Sequence, residues 1–389
     1  MPEPVVNKGQ LVGYFIQAYG ETPRVFRSPG RINLIGEHTD YNEGYVLPAA
    51  IGRSVYVALA RRDDDRIRLR STSFETHFEG RLSELKPTAL GWPNNAIGVT
   101  AMLNEDGFPI GGYDLFAASD LPLGAGLSSS AAFSCATLLA IDRTFGLGLS
   151  RERMARYAQL AEHRYSGVKC GIMDPFASLN GMKGHFMRLD CRSLEHVYVP
   201  FDAKGISILL LDTNVKHSLA SSEYNIRRAQ CERGVGMVRD RHPHVRSLRD
   251  VDVRMLDECV LPVDPVSYAR CRYVLAENSR LLDTCRHLER GDLPEAGRCL
   301  FASHDGLRDD YEVSCPELDW LVDYVRKDRD VLGARMMGGG FGGCTINLVR
   351  TDAVQRIVDA VGHAYTRETG LPLGWMTVAP EDGCSELAI

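Results

Sequence analysis

The chain has 389 residues, 44% hydrophobic and 25% charged, which excludes a disordered or fibrous protein and fits two globular domains of ordinary size. A formal charge of −6 and a pI near 6.0 give no electrostatic reason to expect nucleic acid or an acidic membrane as partner. Eleven cysteines without a Cys-x-x-Cys pair read as the reduced, mostly buried thiols of a cytosolic protein rather than a disulfide framework or a zinc site.

In chain order, Met1-Pro2-Glu3-Pro4 lacks the basic and apolar regions of a signal peptide. The segment Gly30 to Gly44 follows. A short strand pattern delivers Arg31 ahead of the dense polar run Glu37 to Asn42. Carboxylates and an imidazole set together can bond several hydroxyls at once, as sugar recognition requires. A solvated loop closed by the turn Asn42-Glu43-Gly44 is the alternative. Val55 to Ala60 and Ile67 to Arg70 read as strands joined by the charged turn Asp63-Asp64-Asp65.

The most informative stretch is Gly124-Ala125-Gly126-Leu127-Ser128-Ser129-Ser130-Ala131-Ala132. Glycines allow close backbone approach, and the helix start offers unpaired N–H groups with a positive dipole end, which together make an anion site. Without lysine it is not a Walker-A loop. Serines also cap helices routinely, and Pro122-Leu123-Gly124 can be an ordinary turn. Ser129 to Phe145 is expected to be helical and to stop at Gly146. The apolar run Ala131 to Ile141 within it is far short of the roughly 20 residues of a membrane span.

Ser150 caps a second expected helix, with an apolar stripe at Met154, Tyr157, Ala158, Ala161 and Tyr165. Glu162 sits near its C-terminus, where a carboxylate opposes the helix dipole. A bound cation would explain it, and so would pairing with Arg164 or Lys169. Asp174-Pro175 reads as the cap and first residue of a short helix through Leu179. Near Lys204-Gly205 a strand-rich half gives way to a helix-rich one, so the division is placed at 1–205 and 206–389. Ile206 to Leu211 reads as a buried strand, Ser218 to about Lys327 as mainly helical, and Thr351 to Thr369 as a late helix. Between them, Gly338, Gly340 and Gly343 match the dinucleotide fingerprint in form. The following Thr345 to Val349 is strand-like, so a Rossmann reading fails, and protein-kinase motifs are missing. A glycine loop between two strands remains, either a plain hairpin or a wall packed against phosphates.

Gly30 to Gly44 closely resembles the galactokinase signature. Pro122 to Ala132 and Met336 to Cys344 resemble the nucleotide loop and C-terminal glycine motif of the wider GHMP kinases. Gly167 to Phe176 and Ser221 to Arg228 also look like galactokinase segments, in family order over essentially the full length. The resemblance implies an α+β, two-domain GHMP kinase fold with the active site in the cleft between domains. It implies ATP-dependent phosphorylation of α-D-galactose at C1 with Mg2+; the expected protein is a monomer, and the N-terminus and cysteines read as cytoplasmic.

By the same resemblance, Glu37, His38, Thr39 and Asp40 bind sugar hydroxyls, with Gly171, Asp174 and Tyr224 completing the pocket. Asp174 is the catalytic carboxylate, and Arg31 stabilises charge beside it. Gly124, Ala125, Gly126, Leu127, Ser128, Ser129 and Ser130 wrap the nucleotide phosphates. Ser130 and Glu162 hold magnesium, Ser71 lies near the nucleotide, and Trp92 lines the adenine site. A kinase for N-acetylgalactosamine, galacturonate or arabinose is the first rival, and a non-catalytic sugar sensor the second. The chain departs from the pattern at Pro175, where many galactokinases have glutamine. It also lacks a tyrosine after Trp92-Pro93-Asn94-Asn95 and is unusually glycine-rich at Gly338-Gly339-Gly340.

Overall fold

A computed structural model describes residues 7–122, 124–202, 204–215 and 220–388. Leu123 and Ser218, which fall in two of the segments above, lie outside them. Three sheets organise the chain. The largest has six strands, in the spatial order Ser385–Leu387, Arg24–Asn33, Pro48–Arg61, Tyr113–Ser119, Arg66–Ser71 and Phe78–Arg81. Tyr45–Val46, His185–Asp190 and His196–Pro200 form a small second sheet. The third runs Val331–Met336, Cys344–Arg350, Ile206–Asp212, Gly374–Val378, with all neighbours antiparallel. It therefore draws every strand from beyond residue 205, whereas the first sheet takes its edge strand from the far end of the chain.

The two strands expected on either side of the Asp63-Asp64-Asp65 turn do form, but they are not partners. Tyr113–Ser119 lies between them, antiparallel to one and parallel to the other. The cause is local. Gly112 exchanges backbone bonds with the turn, its N–H reaching Asp64 O at 3.0 Å and its carbonyl accepting from Arg62 N at 2.9 Å. Arg62 and Arg68 both donate to the buried Asp114 on the inserted strand.

The Ser129–Phe145 helix forms over the expected residues and ends at Gly146 in a left-handed cap (φ 70°). Ala131 to Asp142 are buried without a break, because the helix lies against the first sheet and is covered by the Asn94–Glu105, Arg151–Ala161 and Met173–Asn180 helices. Small residues at Ala131, Ala132, Ala136 and Ala140 permit that close approach on several sides. Ser150 caps its helix as expected, accepting from Arg153 N. Beyond residue 220 the helix Ala220–Arg241 packs on Pro265–Glu289, which lies against the second sheet and against Leu293–Asp309. Gly297 and Gly333 bring the last of these onto the Val331–Met336 strand so closely that a Cβ on Gly297 would lie 2.0 Å from the Leu332 carbonyl oxygen. Among the described residues, no helix is long and apolar enough to cross a membrane.

Candidate active site

The Arg24–Asn33 strand carries a register shift between Pro29 and Arg31, which turns Arg31 toward the Gly124–Ser130 loop. Arg31 then stitches strand to loop: its backbone N–H donates to Leu127 O (3.1 Å) and its Nη1 to Gly126 O (2.5 Å). Ser128 precedes the helix at φ 59°, ψ 48°, a left-handed conformation that costs a side-chain-bearing residue about 1 kcal/mol. Its hydroxyl does not cap the helix; it donates to Asp174 Oδ2. The N-terminal N–H groups of the helix therefore keep their capacity for an anion. Gly124 and Ser130 are exposed and Ser129 is half-buried, whereas the Ala125 and Leu127 side chains are buried and anchor the loop.

Asp174 is not the helix cap that Asp-Pro suggests. Ile172 occupies the cap of Met173–Asn180, and Asp174 sits inside the first turn. Its carboxylate meets Arg31 as a fork, Nε to Oδ1 at 2.8 Å and Nη2 to Oδ2 at 2.9 Å. This arrangement fixes both side chains.

Next to this pair is a cavity of about 550 Å³, lined by Glu37, His38, Asp40, Gly171 and Tyr224 with Arg31, Asp174 and Glu162. Tyr224 and the backbone at Gly338 and Gly339 come from the second half of the chain, so the cavity spans the cleft. Asp40 accepts from Tyr41 N (2.9 Å) and Met173 N (3.4 Å). Burial, and then the nearby Asp174 charge, push Asp40 up to about 7. Glu37 is 1% exposed and accepts from Arg335 and from Gly338 N.

Two expected sugar contacts are differently employed. Thr39 is fully buried and does not line the cavity. Its hydroxyl is spent on the Gly36 and Tyr45 carbonyls, holding the turn that presents its neighbours. His38 uses both ring nitrogens within the protein, Nε2 with Gly339 O (3.2 Å) and Nδ1 with Tyr41 Oη (2.7 Å). Since a carbonyl only accepts, Nε2 carries the proton and Tyr41 donates to Nδ1. Burial takes the imidazole down to about 3, so it is neutral. It shapes the cavity by packing its ring 5.2 Å from that of Tyr224.

A second cavity of about 620 Å³ opens at the start of the Ser129–Phe145 helix, lined by Ser71, Phe74, Trp92, Asn95, Ser129 and Ser130. Trp92 stacks on Phe74 with centroids 5.5 Å apart and planes within 4°. Glu162, at the end of the Arg151–Ala161 helix, faces this junction and accepts from Ser130 Oγ at 3.2 Å. Arg164, one alternative partner, pairs instead with Glu105. Removal from water, and then Asp174, push Glu162 up to about 7.

These features can be set against known proteins. The "Galactokinase galactose-binding signature" matches residues 14–61, the "GHMP kinases N terminal domain" residues 94–182 and the "GHMP kinases C terminal" residues 286–367. Galactokinase from Thermotoga maritima is 40% identical over 93% of this chain and 99% of its own length. The Chloroflexus aurantiacus galactokinase is 42% identical over 93% of both. The chain belongs to the galactokinase family. A crystal structure of Lactococcus lactis galactokinase complexed with galactose superposes with a TM-score of 0.94 at 35% identity, covering 97% of this chain and 99% of that one. Methanococcus jannaschii mevalonate kinase, at 16% identity and TM-score 0.63, shares the fold.

Two further side chains brace these cavities: Arg335 donates to Glu37 Oε1 at 3.1 Å, and Asn95 donates to Ser130 O at 2.9 Å. A lone charge within the otherwise apolar Val331–Met336 strand was the available signal for Arg335.

The two raised carboxyls make a stability prediction. A folded-state pKa above the unfolded value favours folding below the unfolded value, near 4 for both groups, and the benefit is lost as pH rises through about 7. The unliganded protein should lose part of its thermal stability between about pH 5 and about pH 8, and Asp40→Asn with Glu162→Gln should flatten that slope. Melting temperatures measured across this range check it, and an unchanged slope in the double variant counts against it.

Proposed function

We propose that the protein transfers the γ-phosphoryl group of ATP to O1 of α-D-galactose, giving galactose 1-phosphate and ADP. The observation that carries this reading is the Arg31–Asp174 fork, standing where the sugar-type cavity meets the uncapped helix start. Phosphoryl transfer needs the hydroxyl and phosphate aligned, charge neutralised and an outlet for the hydroxyl proton. Asp174 takes that proton, while Arg31 holds the carboxylate and neutralises charge beside it. Gly124 to Ser130 surround the phosphates with backbone N–H groups, and the cavity of Ser71, Phe74 and Trp92 receives the adenine by stacking.

Ser130 and Glu162 suit Mg2+. They offer two oxygen donors, and Glu162 makes no ion pair among the described residues, the more distant Arg31 being the cation that acts on it. No group of three or more His, Cys, Asp or Glu able to hold a metal is found among those residues, so an ion held by Ser130 and Glu162 would complete its shell with phosphate oxygens and water. When bound, Mg2+ neutralises phosphate charge. The boundary near residue 205, with the last strand returning to the first sheet, suits two domains facing each other across the cleft.

Glu37 and Asp40 accept bonds from sugar hydroxyls, with Gly171 and Tyr224 closing the pocket. Glucose, the C4 epimer, leaves a buried acceptor unpaired at a cost of about 1–3 kcal/mol, so kcat/KM should favour galactose at least roughly tenfold. An ADP-release assay across a sugar panel, with NMR of the product, tests this. Equal efficiency on glucose, or phosphate at C6, overturns the substrate assignment.

A further inference from the structure

We propose that Arg335 is a positioning residue for the sugar: it holds the Glu37 carboxylate so that one oxygen alone is presented to a single hydroxyl. The proposal rests on reading Glu37 as a sugar ligand.

Arg335 is 0% exposed and is among the largest fully buried side chains of the molecule. Each of its five guanidinium N–H groups has an acceptor. Nε donates to Leu34 O at 2.7 Å, and Nη1 to Met336 O and Glu37 Oε1. Nη2 donates to Asn33 O and to the same Glu37 oxygen, both Glu37 distances being 3.1 Å. Glu37 is its only ion-pair partner among the described residues. A buried charge with a single counter-charge and a complete set of acceptors has one geometry, because any rotation strands an N–H or the charge itself.

The consequence falls on Glu37. Its Oε1 receives both Arg335 bonds and one from Gly338 N at 2.8 Å. Among the described residues every protein hydrogen bond to this carboxylate goes to Oε1, and Glu37 lines the cavity, so Oε2 is the oxygen left for a ligand. With Oε1 pinned and the group planar, the place of Oε2 is set from behind by a strand of the opposite half of the chain. A fixed acceptor discriminates against a sugar lacking its hydroxyl more sharply than a mobile one.

The test measures kcat/KM for galactose and its 2-, 3-, 4- and 6-deoxy analogues in the full chain and in Arg335→Lys, Glu37→Gln and Asp40→Asn. Lysine keeps the charge and loses the fork. Arg335→Lys and Glu37→Gln should each cut discrimination at the same one position roughly tenfold, mainly through KM, and leave the position relaxed by Asp40→Asn intact. A merely structural loss lowers all five sugars alike and moves no ratio, which overturns the proposal. If Glu37→Gln moves no ratio, the sugar-ligand reading of Glu37 fails. If it moves one and Arg335→Lys moves none or a different one, the positioning role alone fails. Should Arg335→Lys not fold, Glu37→Gln decides: stranding the guanidinium should lower its melting temperature by several degrees, and an unchanged or raised value overturns the pairing.

Discussion

Asp174→Asn is expected to lower kcat by about 10²–10⁴ while the protein remains folded and still binds ATP. Asparagine keeps the size of the side chain but cannot take a proton from the sugar hydroxyl. The fork suffers too. Asp174 now accepts from Arg31 Nε and Nη2 and from Ser128 Oγ, and an amide sets an N–H against one of those donors. Arg31, only 5% exposed, loses its closest counter-charge. Steady-state turnover at saturating galactose, with a melting curve as a folding control, measures the effect. Near-full turnover in the folded variant removes Asp174 from the chemistry.

The second large effect is expected from one methyl group. A Cβ on Gly171 would lie 1.9 Å from Asp40 Oδ2 and 2.0 Å from its Cγ. Asp40 cannot simply swing aside, because Tyr41 N and Met173 N hold its two oxygens. Gly171→Ala should therefore displace Asp40 or the backbone at 171, raising the galactose KM about ten- to a hundredfold if the roughly 1–3 kcal/mol of overpacking falls on sugar binding. Nucleotide binding measured without sugar should change little, since Ser71, Trp92 and Ser130 line a separate cavity. A galactose KM close to that of the parent protein would show that the pocket yields and that Asp40 is less fixed than its bonds imply.

What could be read in the residues followed from how local its cause was. The Ser129–Phe145 helix was legible because alanine-rich composition and Gly146 are sufficient to start and stop it. Arg31, Glu37, Asp40, Gly171, Asp174 and Tyr224 were legible through family resemblance, and the fold brings all six to one cavity. The two strands read on either side of Asp63-Asp64-Asp65 gave no sign of the strand between them, because Asp114 and Gly112 lie too far along the chain for turn chemistry to reveal them. Arg335 showed only as a lone charge in an apolar strand, with nothing local to point to its partner Glu37, 298 positions away. Thr39 misled in the opposite sense. Lying between two ligand-type residues, it looked like a third, yet its hydroxyl bonds only to backbone.

The pairing of Val25 to Arg27 with Ser385 to Leu387 has a consequence for how the protein is made. The strand that carries Arg31 leaves the ribosome long before the strand that covers one of its edges is translated. Until synthesis passes Leu387, a nascent chain holds Arg31 on a strand with open N–H and C=O groups, the kind of edge that invites pairing with another chain. Over that interval, the chaperones that attend translation have an edge to shield, and a message truncated shortly before Ser385 would leave it open for good.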